Sequence, residues 1–281
     1  MYFTLKLIKI KNMVDSINLA RILRTQTLKM IYKANASHIG TCLSMADILA
    51  VLYGEILNID PKNPDWSKRD RFILSKGHGA AILYAALAEK GFFPCQWLDD
   101  YSQNGSKLTG HISHYVPGVE VSTGSLGHGL SIGCGIALAG KRDNKRYRVF
   151  VLLSDGELDE GSNWEAFLFA PHHQLDNLVA IIDYNKIQSF GIVKEVLDLE
   201  PLKAKFDAFR WSTKEIDGHD HQQIADTFKQ IPFVEGFPSM IIAHTIKGKG
   251  ISFMENQLAW HYKSPSTEQL TQALAELELK I

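Results

Sequence analysis

Long apolar runs are missing from this 281-residue chain; no stretch approaches the roughly 20 residues that a membrane-spanning helix needs. An excess of either charge is missing too. Thirty basic and 31 acidic residues leave a formal net charge of −1, mixed along the chain, which argues against a nucleic-acid surface. Cysteine is sparse: Cys42, Cys95 and Cys134 are widely spaced and form no Cys-x-x-Cys, which argues for a reducing compartment and against structural zinc. No GxGxxG opens a helix after the first expected strand, so a nicotinamide-binding reading has no motif to stand on. Internal repeats, low-complexity tracts and a clear linker are also lacking. In Met1 to Met13, Lys6, Lys9 and Lys11 interrupt the apolar residues, and no small-residue cleavage site follows. Residues 1–14 therefore read as a short extension, an edge strand or a tail, and the protein as cytoplasmic with no membrane contact.

What is present suits one large α/β domain over 15–281. Its organising stretch runs from Arg148 to Gln188. Val149 to Leu153 is a short unbroken apolar run, as expected of a strand buried on both faces of a parallel sheet. It ends at Asp155-Gly156, the C-terminal edge where open α/β sheets place ligands. A helix is expected from Ser162, because Ser162 and Glu165 have capping-box spacing. A second apolar run, Leu178 to Ile182, ends at Asp183-Tyr184-Asn185. Adjacent parallel strands would set Asp155 and Asn185 side by side. Magnesium takes oxygen ligands, one or two from protein and the rest from phosphate and water, and a carboxylate with an amide oxygen supplies the protein share. Gly156 lets backbone approach a phosphate, and the helix start beyond it favours an anion. Polar turn residues closing an ordinary βαβ unit would leave the same pattern.

The remaining elements follow from periodicity and punctuation. A helix from an Asp15 N-cap to about Lys33 precedes a turn over Ala34 to Gly40, then a helix over Met45 to Leu57. Arg71 to Leu74 reads as a strand ending in Ser75-Lys-Gly-His-Gly79, followed by a helix to Lys90. Thr109 to Gly129 is irregular and rich in glycine and histidine, and a loop that long inside a compact domain is usually functional. Gly129 to Gly140 reads as a tightly packed helix and Ser189 to Pro201 as a loop. Helices near Leu202 to Phe209 and Gln222 to Gln230 flank a strand near Trp211 to Ile216. A strand over Ser239 to His244 and an exposed helix over Thr267 to Leu279 complete the chain. The expected fold is a single open, mostly parallel sheet with helices on both faces. Turns after Leu74, Thr123, Leu153, Ile182 and His244 would converge at one sheet edge.

An Asp-Gly followed about thirty positions later by Asn, each after an apolar run, resembles the thiamine diphosphate fingerprint. Around it stand Asn35-Ala-Ser-His-Ile-Gly, Phe72-Ile-Leu-Ser-Lys-Gly-His-Gly, Thr109-Gly-His, Ser122-Thr-Gly-Ser-Leu-Gly-His-Gly-Leu, Thr245-Ile-Lys-Gly-Lys-Gly and Trp260-His, in transketolase order. From about Asp15 to Pro265 the chain resembles the N-terminal, diphosphate-binding half of a transketolase. The resemblance implies thiamine diphosphate and magnesium as cofactors, with Asp155, Asn185 and the Ile187 carbonyl as metal ligands. It also implies Gly124, Leu126 and Gly156 close to the cofactor, and Lys76 and Lys247 near the diphosphate. His38, His78, His111 and His261 would serve the diphosphate and the sugar hydroxyls. Gly124 could instead be a plain turn glycine, and both lysines solvated loop residues.

Four departures from the family pattern are visible, one being Tyr184 in place of the first Asn of the usual pair, with Asn185 kept. Ser154 stands where glycine usually precedes Asp-Gly, Ile39-Gly40 replaces Pro-Gly, and Ile112-Ser113 replaces Pro-Glu; the last two are expected to line the donor-substrate region. Glu160 and Glu165 resemble carboxylates that link paired sites, although Glu165 has the competing role of capping-box partner. The pyrimidine-binding domain, with its glutamate, would lie beyond the end of this chain. The expected function is thus the N-terminal subunit of a split transketolase. In an α2β2 assembly with a C-terminal partner, it would move a two-carbon ketol unit between sugars or sugar phosphates. The alternatives are the α subunit of a 2-oxo acid dehydrogenase, another thiamine-dependent lyase, and a non-catalytic cofactor-binding subunit.

Overall fold

The computed structural model describes residues 2–279, with side chains described from Asp15 onward. Short apolar runs form β1 (Arg71–Leu74), β2 (Val149–Ser154), β3 (Leu178–Tyr184), β4 (Ser212–Asp217) and β5 (Ser239–His244). They make one sheet in the order β1-β2-β3-β5-β4, and every pairing is parallel. β2 and β3 are buried at every position, which explains why each reads as an uninterrupted apolar run. On the edge strand β4 only Ile216 is buried, so its sequence is far more polar.

The helices are α1 (Tyr2–Ala34), α2 (Ile39–Ser44), α3 (Ala46–Val51), α4 (Ala80–Glu89), α5 (Gly129–Arg142), α6 (Gly161–His172), α7 (Val193–Val196), α8 (Leu202–Ala208), α9 (His221–Phe228) and α10 (Thr267–Glu278). Alternation along the strands divides them between two cores. Phe150, Leu152, Val179, Ile181 and Ile241 pack with α1, α3, α4, α9 and α10. Val151, Leu153, Ala180, Ile182 and Ile242 pack with α5, α6 and α8 on the other face. No helix among the described residues is long and apolar enough to cross a membrane.

Several local expectations are corrected. α1 starts at Tyr2, so Asp15 lies within it rather than capping its start, and the extension is helical rather than a strand or tail. Neither glycine nor proline occurs between Tyr2 and Ala34, so nothing in the sequence breaks it. The helix expected over Met45 to Leu57 is present as α3 and the turn that continues it, but an unexpected helix, α2, precedes it. α2 ends at Ser44, Met45 leaves helical geometry (φ −94, ψ 6), and beyond α3 a wider turn covers Leu52–Ile56. The Ser162–Glu165 capping box does not form: α6 begins at Gly161, and Ser162 Oγ donates to the Gly127 carbonyl at 2.8 Å. A tertiary acceptor has displaced the local one. The expected loop over 189–201 contains α7. α10 is not fully exposed: Ala273 and Leu277 are buried, it packs on α1, and a reciprocal Ser266–Gln269 box caps it.

Candidate functional site

Register between β2 and β3 pairs Ser154 with Asp183, so the two strands deliver their turns level with each other. Asp155 Oδ1 accepts the Gly156 N–H at 2.8 Å and its Oδ2 the Lys186 N–H at 2.6 Å. Asn185 Oδ1 accepts the Ile187 N–H at 3.2 Å. From the turn after β5, Lys247 Nζ donates to the Ile187 carbonyl at 2.7 Å and lies 3.1 Å from His261 Nδ1. The turn after β1 is threaded under the irregular loop. A Cβ on Gly77 would lie 2.5 Å from the Thr123 carbonyl, so only glycine fits there. Ile112 N–H donates to the Gly77 carbonyl at 3.1 Å and Thr123 Oγ1 to Leu74 O at 2.6 Å, which fixes His111 over the sheet edge.

These turns enclose a cavity of about 490 Å³. Lining it are His38, His78, His111, Gly124, Leu126, Asp155, Gly156, Asn185, Ile187, Lys247 and His261, brought together from positions far apart in sequence. The His38 ring lies 5.2 Å from those of His78 and His261 and 5.8 Å from His111, centroid to centroid. His38 itself has φ 77, a left-handed conformation that costs a non-glycine residue about 1 kcal/mol, and its N–H donates to the His261 carbonyl at 2.9 Å.

Lys76 is placed differently from the other named residues. It has no exposed surface, does not line the cavity, and pairs its Nζ with Asp183 beneath the floor. Asp183 also accepts Ser44 Oγ at 2.5 Å and Thr245 Oγ1. Ile39 and Ile112, expected to line the substrate region, are buried in the core that includes α1 and α4, so those departures alter packing rather than the cavity wall. Glu160 lines the cavity, whereas Glu165 does not.

Burial dominates the electrostatics. It pushes His38 down to about 4, aided by His111 and Lys247, and His261 down to about 3, aided by Lys247. His78 is held well below the usual imidazole range by burial and then by Lys76. These three rings are therefore neutral at pH 7, each with one N–H donor and one lone pair. Burial also pulls Lys247 down to about 8 against the attraction of Asp155. Asp155 is raised to about 6 by burial and by the negative charge of Asp183. Burial would raise Asp183 as well, but the charge and hydrogen bond of Lys76, with Ser44 and Thr245, hold it below the usual carboxylate range.

The family model for the transketolase, thiamine diphosphate-binding domain matches residues 14–277. The chain belongs to that transketolase family. It is similar to an apulose-4-phosphate transketolase subunit of Phocaeicola vulgatus, 43% identical over 258 residues that cover 92% of each chain. It is also similar to the 6-deoxy-6-sulfo-D-fructose transketolase subunit of a Clostridium species, 44% identical over 266 residues, 94% of this chain and 97% of that one. Among solved structures, the Pichia stipitis transketolase complex with sedoheptulose 7-phosphate superposes with a TM-score of 0.89 at 30% identity, covering 94% of this chain and 40% of that one. Campylobacter jejuni transketolase gives 0.88 at 33% identity, covering 95% and 43%. The chain thus spans about two fifths of the solved transketolases it matches.

The transketolase cavity fits the family's cofactor on its own chemistry. Among the described residues no cluster of three His, Cys, Asp or Glu could hold a metal. What the cavity offers is carboxylate, amide and carbonyl oxygen from Asp155, Asn185 and Ile187, a set for a hard cation. Facing it are an ammonium and neutral imidazoles, a set for an anion. Sequence reasoning passed over two buried carboxylates here, Asp183 and Glu157, both without exposed surface. An Asp inside an apolar run was the available signal for Asp183, since a buried charge needs a partner.

Proposed function

We propose that this chain is the N-terminal subunit of a two-subunit transketolase, transferring a two-carbon ketol unit from a ketose to an aldose with thiamine diphosphate and magnesium. The observation that carries the reading is the cavity itself, where three oxygen donors face Lys247 and the imidazoles. Near-complete coverage of relatives named as transketolase subunits supports the two-subunit form. The 2-oxo acid dehydrogenase reading has no comparable support.

In this proposal Asp155, Asn185 and the Ile187 carbonyl hold magnesium. Lys247, His78 and His261 receive the diphosphate, with Gly156, Gly124 and Leu126 along its length; Lys76 acts from below through Asp183. When bound, the cofactor supplies stabilisation of the carbanion that ketol transfer requires. His38 and His111 meet the sugar hydroxyls. A neutral imidazole both donates and accepts, so His38 can take a hydroxyl proton without first losing one.

Phe190 and Tyr262 line the cavity mouth and are 83% and 58% exposed. Apolar rings at the rim of a polar site favour a second subunit that covers it, in an α2β2 assembly whose partner surrounds the pyrimidine end. Cys42, Cys95 and Cys134 are all free, which supports the cytoplasm. The test is to co-produce the chain with a candidate C-terminal partner, then assay ketose donors, phosphorylated and not, against 2-oxo acids. Ketol transfer that needs thiamine diphosphate and magnesium is expected; decarboxylation of 2-oxo acids without ketol transfer would overturn the reading.

A further inference from the structure

Glu157 follows Asp155-Gly156, has no exposed surface and does not line the cavity. Its carboxylate nevertheless meets the segments that build three of the cavity walls. Oε1 accepts Ser75 Oγ from the turn after β1 and the Gly127 N–H, at 2.9 Å, from the irregular loop; Oε2 accepts the Ser154 N–H at 3.3 Å from the end of β2. Ser154 is itself a wall residue, and the other two donors are close in sequence to one: Ser75 to His78 and Gly127 to Leu126. None of the three donors is charged, so the arrangement is not an ion pair that the fold needs for neutrality.

The contact with Gly127 is the most constrained. That residue has φ 86, and a Cβ there would lie 2.6 Å from both Glu160 Cβ and Ser162 Oγ. Its N–H is held by Glu157 and its carbonyl by Ser162 Oγ at 2.8 Å, so both sides of this residue are clamped. Asn163 Nδ2 donates to the Glu157 carbonyl at 2.6 Å and fixes the backbone from which the carboxylate reaches. A carboxylate has acceptor sites for all three donors. A glutamine of the same shape has one acceptor oxygen and an amide NH₂, so one donor would face another.

We propose that Glu157 is a positioning residue that holds these three walls in register for the cofactor. The inference rests on the thiamine diphosphate reading. Groups that orient metal ligands without touching the metal typically change metal affinity or activity by about 10–100-fold when altered, and Glu157 holds the backbone next to Asp155, a metal ligand under that reading.

The experiment compares Glu157→Gln and Ser75→Ala with the wild type, each assembled with the partner subunit. Three quantities are read: the Kd for thiamine diphosphate at saturating magnesium by calorimetry, the melting temperature without cofactor, and kcat at saturating cofactor. Glu157→Gln should raise Kd by about 10–100-fold and Ser75→Ala by less, while kcat at saturating cofactor stays within a few-fold of wild type. A purely structural role would instead lower the melting temperature and leave the Kd of the folded protein unchanged, and that outcome would overturn the proposal. If Glu157→Gln does not fold, an unchanged Kd in Ser75→Ala overturns it, and a raised Kd with an unchanged melting temperature supports it. Failure of the wild type to bind thiamine diphosphate would overturn the cofactor reading first and this inference with it.

Discussion

Replacing Asp155 by asparagine should have opposite effects on the empty protein and on its cofactor complex. Without a cation the ionised carboxylate is buried beside another carboxylate, and its pKa rises from the usual 3.8 to about 6. That rise corresponds to about 3 kcal/mol of destabilisation at pH 7. Asparagine removes it but satisfies only one of the two N–H groups, from Gly156 and Lys186, that the carboxylate accepts. The unsatisfied donor costs about 1–3 kcal/mol. The net change is therefore about 0–2 kcal/mol in favour of the variant, or up to a few degrees in melting temperature for a chain of this size.

The sign of the pH dependence follows. Between pH 3.8 and about 6 the native wild type holds a proton that its unfolded chain has released, so its stability falls as pH rises through that window. The advantage of Asp155→Asn should thus grow from pH 4 to pH 6 and level off above. Thiamine diphosphate with magnesium at a hundred times its Kd should stabilise the wild type by about 2.7 kcal/mol and the variant hardly at all. Calorimetric or fluorescence melting with and without cofactor, across pH, reads all of this. A marked loss of stability in the empty variant would refute the electrostatic argument, and a full cofactor shift in the variant would refute Asp155 as the metal ligand.

His111→Ala should reduce donor turnover far more than it weakens cofactor binding, since His111 faces the cavity but does not contact the Lys247 group; unaltered steady-state kinetics with the true donor would remove His111 from substrate contact. Cofactor binding should also move protons. Near pH 8.5 the diphosphate should raise Lys247 from about 8 and draw protons in, while near pH 6 the metal should expel about half a proton from Asp155. Calorimetry in buffers of different ionisation enthalpy measures both, and equal heats in all buffers at both pH values would contradict the assignments. Ketol transfer should require a second subunit to cover Phe190 and Tyr262, so this polypeptide assayed alone should be inert and recover activity on mixing; robust turnover alone would end the two-subunit reading.

The strands and the meeting of their turns were legible because each buried strand is a short apolar run closed by a polar turn. Helix starts were less so. A capping box is a local bond, and at Ser162 the Gly127 carbonyl, distant in sequence, offered a competing acceptor that no local pattern records. Ile39 and Ile112 misled for a related reason: a substitution within a site motif looks like a change in the wall, yet both side chains are buried in the core. Lys76 and Lys247 have the same local signature, a lysine beside glycine after a strand. Only the three-dimensional arrangement shows that one turns down to Asp183 and the other turns into the cavity.

That difference between the lysines explains why the site holds charges in two layers. Below the floor, Lys76 and Asp183 neutralise each other, and Ser44 and Thr245 complete the carboxylate's hydrogen bonds. Above it, Asp155 and Lys247 attract each other without a direct ion pair and lie at shifted pKa values, about 6 and about 8. The lower layer contributes to the shifts: Asp183 raises Asp155, while Lys76 lowers Lys247 and His78. The lower layer holds the backbone in place beneath two groups whose own hydrogen bonds run to the Gly156 and Lys186 N–H groups and to the Ile187 carbonyl. Under the proposed function, a buried carboxylate and a buried ammonium that hold shifted pKa values suit a divalent cation and a diphosphate taken together, one charge meeting each.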